Sequence, residues 1–437
     1  MEKHQTLTTT IIRVAHLLLG ALATAMIARM LQPERFGEYS FVIAVMTILS
    51  MPTAVGLRHT VVREISYARG RAGDNRVNQI WGWAQQRAVW VGVMTTVVLV
   101  IWVLWGIRDA SLKWHMTLGI GLFLLLPVPK LLGGVLHGLG NTVQSQFPEY
   151  ILRPVLKIVL LLIVWTTIGD GSVSVTIALM IFAATLAADT ALSIAMLKRN
   201  TDFSLCPKEA PLPADEARVL TTSSLSFGAI ASVHLINSNL DIIGLGFLST
   251  DTEVGLYKAA AVISVLAAFG LGVINTVIMP QIAKLHAQGD RNELQTLITK
   301  ATRISTVFAL GGGLIIWFFG MLILTVVFDE SYSSGYWALV ILAVGQIANA
   351  CFGPVALVLN MTGNHRLTLI GVSISVAVNG LLNLLLVPRF GMEGAATATA
   401  ASLIIWNVLL SIALKMRMGY SCSIFSFQKP SKSKAPG

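Results

Sequence analysis

The chain has 437 residues, of which 55% are hydrophobic and 12% are charged, and its formal net charge at pH 7 is +10. A mean hydropathy of +0.74 excludes a water-soluble globular protein, because that much apolar surface needs a hydrocarbon solvent. The three cysteines, Cys206, Cys351 and Cys422, have no plausible disulfide partners, and their spacing suits no metal ion.

Apolar stretches follow one another along almost the whole chain, with short polar breaks between them. A hydrocarbon core of about 30 Å takes about 20 helical residues per crossing, since every backbone group must be paired inside its own segment. The pattern therefore predicts an all-α membrane protein. Its twelve predicted spans are residues 11–31, 39–57, 89–105, 116–136, 150–168, 173–197, 225–248, 254–279, 304–328, 336–359, 367–387 and 395–414.

Lysine and arginine residues are distributed unevenly between alternate loops. One side carries 22 of them, and the other side carries 5, with Lys258 counted among the 5. Because positive loops resist translocation, this ratio predicts that both termini lie in the cytoplasm. Basic loops next to anionic lipid also account for the net charge, so we expect no nucleic-acid partner.

A polar break at residues 198–218 contains three prolines and separates six spans from six. We interpret it as a cytoplasmic linker between an N-terminal six-helix bundle, 1–197, and a C-terminal six-helix bundle, 219–416. Residues 417–437 form a basic cytoplasmic tail. A second polar loop, 281–303, has apolar residues at roughly helical spacing, which predicts a helix lying on the membrane surface.

Two short motifs recur at nearly equal offsets. Residues 36–39 read Phe-Gly-Glu-Tyr and residues 254–257 read Val-Gly-Leu-Tyr, an offset of 218; residues 136–141 and 359–364 both end in Gly-Asn, an offset of 223. Both pairs follow equivalent spans, which indicates an internal duplication with a pseudo-two-fold axis along the membrane normal. The alternative is that glycine and asparagine are simply common at helix ends, where they tolerate a left-handed backbone.

The sequence around these motifs resembles a known superfamily. Its features are residues 28–39 (ARMLQPERFGEY), residues 137–141 (HGLGN), the segments 147–149 and 152–154, and later Asp241, Gly255, Tyr257 and 259–261. With the twelve-span layout, these motifs are similar to those of polysaccharide flippases in the multidrug/oligosaccharidyl-lipid/polysaccharide (MOP) exporter superfamily, of the Wzx O-antigen type.

The resemblance implies a MATE-like fold of two six-helix bundles in the bacterial inner membrane. It also implies transport of an undecaprenyl-diphosphate-linked oligosaccharide, an O-antigen or related repeat unit, from the cytoplasmic to the periplasmic leaflet. The expected partners are this glycan and membrane lipid, and a polysaccharide polymerase and a chain-length regulator are further candidates.

Basic residues inside spans or at their ends are candidates for a substrate pathway, since each costs about 2.5 to 3.5 kcal/mol at the bilayer centre. The candidates are Arg29, Arg58, Lys130, Arg153 and Lys157. The predicted topology puts all except Arg29 in or near the cytoplasmic half of the first bundle, where a diphosphate headgroup would enter. Arg29 lies near the periplasmic end of its span and is a candidate for the pathway or its gate. The alternative for such residues is that their long side chains lift the charge to the lipid headgroups.

Two acidic residues lie inside spans, Asp189 and Asp241. Either one could carry a proton, and Asp241 could bind sodium together with Asn237 and Asn239, which would couple export to an ion gradient. For Asp189 the alternative is an ion pair with Lys157 or Lys130. We expect no resident cofactor or metal.

An enzyme is not expected from this sequence. It has no Gly-x-x-x-x-Gly-Lys phosphate loop for ATP hydrolysis, and no His/Glu metal cluster stands out. An O-antigen polymerase would need a long periplasmic loop, and the predicted loops there are short. The remaining rival is a drug or organic-cation antiporter of the same superfamily. That substrate favours acidic pathway residues, whereas basic residues outnumber acidic residues within the spans of this chain.

Overall fold

The computed structural model describes residues 2–68, 73–168, 173–200, 203, 205 and 211–422, and this part of the chain is helical nearly throughout, with no strand. Fifteen α-helices are defined in it: α1 Glu2–Leu49, α2 Leu57–Ala68, α3 Gly73–Trp105, α4 Ala110–Leu125, α5 Pro127–Gly138, α6 Thr142–Phe147, α7 Arg153–Ile168, α8 Val175–Asn200, α9 Ala214–Leu248, α10 Asp251–Ala267, α11 Phe269–Gln288, α12 Arg291–Val327, α13 Tyr336–Phe352, α14 Val355–Met361 and α15 His365–Met418. Short π-helical turns at Pro52–Gly56 and Pro148–Leu152 and a 3₁₀ turn at Glu330–Gly335 join some of them.

The twelve predicted spans all fall on helical segments, and the all-α membrane fold is confirmed. Among the described residues, seven helical segments are long and apolar enough to cross a bilayer, and the pair α10 and α11, bent by 48°, makes an eighth if it is counted as one span. Two of these helices each carry two predicted spans. α1 is broken at Gln32 (φ 65°, ψ 164°) and α15 at Gly391 (φ 52°, ψ −130°), each close to a proline inside the helix. The fifth and seventh predicted spans lie on α7 and α9.

We call α1–α8 the N-terminal half and α9–α15 the C-terminal half. They meet where α1 crosses α10, and the crossing is reciprocal. A methyl group built on Gly37 would overlap the Asp251 carbonyl oxygen, and one built on Gly255 would overlap the Pro33 carbonyl oxygen. The 218-residue offset of the sequence motif relates the two contacts to each other, since it takes Gly37 to Gly255 and Pro33 to Asp251. The crossing therefore has the symmetry expected of a duplicated chain.

The two ends of the molecule are formed by different segments of the chain. The Gly37 end comprises residues 28–39, 107–115, 247–257, 328–332 and 387–394, and the largest apolar cluster joins both halves there. The Arg58 end comprises residues 56–68, 130–153 and 214–224. Its apolar cluster contains Leu212 and Leu220 together with residues of α2, α3 and α5, so the first turns of α9 pack on the N-terminal half. Cys206 in the predicted linker lies outside the described residues.

The predicted surface helix at 281–303 is wrong. α11 continues to Gln288, the chain turns at Gly289 (φ 72°), and α12 begins at Arg291, so the segment is the hairpin between two antiparallel helices. Its apolar residues are buried with the core rather than presented to lipid: Ile282, Leu285, Leu294 and Ile298 pack in one cluster with Val355, Leu359 and Leu414. Helical spacing alone does not distinguish these two arrangements.

Candidate substrate pathway and ion site

Four of the basic residues predicted from sequence come together at the Arg58 end of the N-terminal half. Arg58 lies near the start of α2, Lys130 lies on α5, and Arg153 and Lys157 lie on α7. Lys130 is close enough to Arg58 and Arg153 for their charges to act on it. Two prolines open α5 and two flank the π turn before α7, where a missing N–H costs least. These breaks place charged side chains between helices instead of at regular positions along one helix.

Two carboxylates partly balance this cluster. Arg58 Nη1 lies 3.1 Å from Glu149 Oε2, and Arg153 contacts Asp189 Oδ2 through Nη2 at 2.5 Å and Nε at 3.1 Å. Ser193 Oγ donates to the other Asp189 oxygen at 3.3 Å. Asp189 thus has partners within its own half, an ion pair of the kind considered from sequence but made with Arg153 instead of Lys157 or Lys130. Three cations, with Lys130, face two anions, so the cluster keeps a net positive charge.

Lys157 lies deeper, beyond the paired charges. Its Nζ is 5.0 Å from the centroid of the Phe182 ring, a cation–π contact. The charge of Lys258, from α10 of the opposite half, also acts on it. In the part of the chain that the structure describes, neither lysine forms a salt bridge; the salt bridges there involve other residues. Two ammonium groups, one from each half, therefore approach the interior between the halves without a carboxylate.

Lys258 is a residue that the sequence analysis missed as a candidate. Counting it with the loops on the less basic side is wrong, because it lies inside α10, directly after Tyr257. The sequence does indicate Lys258 as a candidate, since position 258 falls within the predicted span 254–279. A lysine at that depth needs the same explanation as Lys157.

Histidines and Arg13 surround the outer part of the cluster. The His16 ring lies 4.8 Å from the Tyr150 ring, and the charge of Arg13 acts on both Tyr150 and His137. Burial, and next the neighbouring Arg58 guanidinium, lower the pKa of His59, which follows the second predicted span. The surroundings of His59 therefore disfavour its charged form, and the arginines and lysines are the main source of positive charge here.

The two halves are separated on one side of this end and joined on the other. Between α1 and α11 lies a groove of about 260 Å³ lined by Arg13, Leu17 and Phe269, and next to it, between α1, α10 and α12, an apolar groove of about 370 Å³. On the other side, a methyl group on Gly56 would come 2.6 Å from the Ser224 carbonyl oxygen, so α9 packs directly on the Pro52–Gly56 turn. The halves therefore leave a groove between α1 and α11 on one side of the molecule, and they are in direct contact on the other.

A second polar site lies in the C-terminal half around Asp241, which is 6% exposed. Tyr257 Oη donates to Asp241 Oδ2 at 2.9 Å and lies 3.0 Å from Thr399 Oγ1. Asn383 Nδ2 donates to Asp241 Oδ1 at 2.9 Å and to Asn379 Oδ1 at 2.7 Å. The buried Asn383 Oδ1 has no hydrogen-bond partner within the described residues. Five oxygen-bearing side chains from α9, α10 and α15 thus converge, the kind of oxygen-rich site that hard cations prefer.

The amides expected to assist Asp241 are not the ones that reach it. Asn239 Nδ2 donates to the Leu235 carbonyl oxygen at 2.9 Å, and no described contact joins Asn237 or Asn239 to Asp241. The amides that do so, Asn379 and Asn383, lie about 140 residues further along the chain. Asn237 and Asn239 are therefore neighbours of Asp241 in sequence, whereas Asn379 and Asn383 are its neighbours in the structure.

Arg29 lies at the Gly37 end, away from the basic cluster. Its Nη1 is 3.4 Å from the Val326 carbonyl oxygen of the opposite half. Tyr332 Oη donates to the Ala28 carbonyl oxygen at 2.7 Å, also across the halves. The structure therefore places Arg29 at the contact that closes this end, and not with Arg58, Lys130, Arg153 and Lys157.

A family model described as polysaccharide biosynthesis protein matches residues 3–286, well over half of the chain. The chain belongs to the polysaccharide biosynthesis protein family. Among curated relatives of this family member is the probable low-salt glycan biosynthesis flippase Agl15 of Haloferax volcanii, 25% identical over 191 residues. That match covers 42% of this chain and 39% of the relative, so it spans about two-fifths of the relative's length.

Two solved structures resemble this polysaccharide biosynthesis protein over nearly its whole length. An inward-facing multidrug resistance MATE family transporter of the MOP superfamily aligns with a TM-score of 0.74 at 17% identity, covering 94% of this chain and 98% of that chain. The lipid II flippase MurJ, in an inward closed conformation, aligns with a TM-score of 0.72 at 12% identity, covering 93% and 87%. The MATE-like fold predicted from sequence is confirmed.

Proposed function

We propose that this protein is a flippase for a polyprenyl-diphosphate-linked oligosaccharide, and that the lipid carrier is undecaprenyl diphosphate bearing an O-antigen or related repeat unit. The observation that carries the proposal is the net positive cluster of Arg58, Lys130, Arg153 and Lys157 between the helices at one end. A diphosphate headgroup is the part of such a lipid that needs cations. The glycan flippase among its relatives and the lipid II flippase among its structural neighbours support the same substrate class.

We further propose that the Arg58 end faces the cytoplasm of a bacterial inner membrane, as the distribution of lysine and arginine predicts. The headgroup then enters the basic cluster while the polyprenyl chain stays in lipid, lying along the apolar grooves between α1, α10 and α11. Arg13 lines the groove at this end, where the diphosphate would pass. The opposite Gly37 end is closed, so transport requires the two halves to alternate between an opening at one end and an opening at the other.

Lys157 and Lys258 have a special place in this mechanism, because they belong to different halves and neither is paired with a carboxylate in the described part of the chain. Their like charges disfavour close approach of the two halves at this depth until an anion lies between them. A diphosphate would neutralise both, so substrate binding would favour the rearrangement that carries the headgroup across. Arg58 and Arg153, which are already paired with carboxylates, would guide the headgroup at the entrance.

We propose that the Asp241 site couples transport to a sodium or proton gradient. The oxygens of Asp241, Tyr257, Asn379, Asn383 and Thr399 would bind the cation, and Asn383 Oδ1, which has no hydrogen-bond partner among the described residues, would be free to coordinate it. Asp189 is a weaker candidate, because Arg153 and Ser193 already occupy both of its oxygens. A polysaccharide polymerase and a chain-length regulator stay predicted partners.

A drug or organic-cation antiporter is the second candidate, since a MATE multidrug transporter is also a structural neighbour. The charge of the pathway argues against it. An organic cation needs acidic or aromatic contacts in the pathway, whereas the two acidic side chains of this cluster are both paired with arginine.

The test is a strain that lacks this gene and is complemented with wild type or with the double variant Lys157→Gln and Lys258→Gln. These substitutions remove two charges without leaving a carboxylate unpaired. Lys300→Gln, at an exposed position of α12, is the matched control. We expect single lipid-linked repeat units to accumulate in the cytoplasmic leaflet of the deletion strain and of the double variant, and to be cleared by wild type and by the control. Clearance by the double variant at equal protein level would remove the two lysines from the pathway, and no accumulation in the deletion strain would overturn the flippase proposal.

A further inference from the structure

Gln32 has an unusual backbone conformation at the Gly37 end. Among the described residues it is the only residue other than glycine with a positive φ, 65°. A side chain disfavours this left-handed region, and such strain persists only where the surroundings hold it in place. Gln32 precedes Pro33, which itself disfavours a helical conformation at position 32. The bend in α1 therefore has an intrinsic reason to exist, but this particular conformation needs support from outside α1.

That support comes from residues 328–332 of the C-terminal half, which we call the latch. Gln32 Nε2 donates to Asp329 Oδ2 at 3.3 Å, and Ser331 Oγ donates to Gln32 Oε1 at 3.0 Å. One turn earlier, Tyr332 Oη donates to the Ala28 carbonyl oxygen at 2.7 Å. Both ends of the Gln32 amide and the turn before it are thus held by the opposite half.

The latch is also anchored in the core. Tyr332 is fully buried, and its ring lies 6.3 Å from that of Phe36 in an edge-to-face arrangement and 5.3 Å from that of Phe328. The latch belongs to the C-terminal half because it directly joins α12 to α13, and its Tyr332 ring packs on Phe36 of α1 across the halves. Movement of that half away from α1 would withdraw all three hydrogen bonds together.

The Gln32 side chain also contacts the backbone at the break in α1. Pro33 has no N–H, so the Arg29 carbonyl oxygen has lost its helical donor, and Gln32 Nε2 lies 3.4 Å from it. The same Gln32 amide thus serves the Arg29 carbonyl and the latch carboxylate. If Gln32 changed conformation, both bonds would change with it.

We propose that the latch holds the bend in α1, and with it the closed Gly37 end, against the backbone strain at Gln32. Release of the latch allows Gln32 to leave the left-handed region, and this relaxation favours separation of the halves at the Gly37 end. The inference rests on the proposed alternating opening of the two ends. It adds that the closed state of this end is held by hydrogen bonds and opposed by a strained residue, so its balance can be shifted in either direction by single substitutions.

The experiment measures the distance across the Gly37 end by electron–electron double resonance in lipid nanodiscs. Spin labels are attached at Ala110→Cys, at the start of α4, and Arg389→Cys, near the break in α15, after Cys206, Cys351 and Cys422 are replaced by alanine. Both labelled positions are exposed. The readout is the ratio of the longer to the shorter distance population in the full-length protein, which reports opening directly and does not require transport.

Tyr332→Phe removes only the latch hydroxyl. We expect it to raise the open-to-closed ratio roughly two- to ten-fold, which corresponds to the net contribution of one hydrogen bond to stability. Tyr336→Phe is the matched control, because Tyr336 Oη donates to the Trp317 carbonyl oxygen at 2.8 Å within the C-terminal half. An equal ratio in the two variants would overturn the latch.

Two substitutions at position 32 separate the effect of the backbone strain from the effect of the latch hydrogen bonds. Gln32→Ala loses the latch bonds and keeps the strain, whereas Gln32→Gly loses both, because glycine adopts a positive φ freely. We expect Gln32→Ala to open the Gly37 end more than Gln32→Gly, by roughly five-fold or more. Equal ratios would show that the strain has no effect. If all variants show only the short distance, the latch is overturned, while the flippase proposal is judged separately by the complementation test.

Discussion

Gly37 and Gly255 lie back to back where α1 crosses α10, and the absence of a side chain on each lets the carbonyl oxygen of the other helix take its place. The contact is reciprocal and joins the two halves at the end opposite the basic cluster. The Gly37 end is therefore closed by direct contact between the backbones of α1 and α10. This close contact leaves no room for a larger residue at position 37 or 255.

Substituting alanine at Gly37 or Gly255 should therefore hinder closure. The new methyl group would overlap a backbone carbonyl oxygen that cannot rotate away, and overpacking of this kind typically costs about 1–3 kcal/mol. We expect a lower melting temperature in detergent and loss of complementation. Gly20→Ala on the same helix is the control, since a methyl group there has nothing within 4 Å. Normal melting and activity of Gly37→Ala would show that α1 and α10 need not approach this closely.

Asp241→Asn should abolish the response of the protein to its coupling ion. The amide keeps the shape of the carboxylate and removes the charge that the proposed cation would bind. A ligand that binds only the folded state raises the melting temperature, so wild type should melt higher in sodium than in potassium if sodium is the ion, or on acidification if it is a proton. Tyr257→Phe, which removes one oxygen of the site, should weaken the response without abolishing it. An Asp241→Asn protein that still responds would exclude this site.

Asp189→Asn should have a different effect, because Asp189 is the partner of Arg153. Breaking a buried ion pair on one side typically costs about 3–5 kcal/mol, since the remaining charge has no counterpart. We expect a lower melting temperature with the ion response of the protein intact. The double variant Arg153→Gln and Asp189→Asn should recover much of the stability and still transport poorly, because the pathway loses a cation. Loss of the ion response in Asp189→Asn would instead make Asp189 the coupling residue.

His59 should make a destabilising contribution to the protein on mild acidification. Burial and Arg58 lower the pKa of this imidazole in the folded state, so below an unfolded-state pKa of about 6.5 the unfolded chain binds the proton more readily. The contribution is absent well above that pH and grows as pH falls below it. The difference in melting temperature between pH 7.5 and pH 5.5 should be smaller for His59→Gln than for wild type or for His286→Gln at an exposed position of α11. An unchanged difference would mean that His59 is not held neutral.

The sequence predicts the spans, the basic cluster and the repeated motifs well for a physical reason. Span length follows from bilayer thickness, and Arg58, Lys130, Arg153 and Lys157 lie close together because helical spacing and the order of spans put them there. The fold class could be predicted for the same reason, since twelve apolar stretches leave few arrangements.

Contacts between segments that are distant in sequence could not be predicted in the same way. Asp241 meets Asn383, 142 positions away, and Tyr332 reaches the carbonyl of Ala28, 304 positions away. Such pairs depend on how α15 and the turn before α13 pack against helices from elsewhere in the chain. Lys258 was missed because counting charges in loops ignores how far a helix continues, and the strain at Gln32 has no sequence signal beyond the following proline.

The most direct test of the central claim is the rate at which the purified protein moves a labelled polyprenyl-diphosphate-linked oligosaccharide across proteoliposomes. A glycan-cleaving enzyme added outside measures the fraction of lipid exposed in the outer leaflet over time. We expect wild type to expose the inner pool much faster than protein-free vesicles do, and the Lys157→Gln and Lys258→Gln double variant to be close to the protein-free rate. A wild-type rate equal to that of protein-free vesicles, together with uptake of an organic cation by the same proteoliposomes, would contradict the account and favour a drug antiporter.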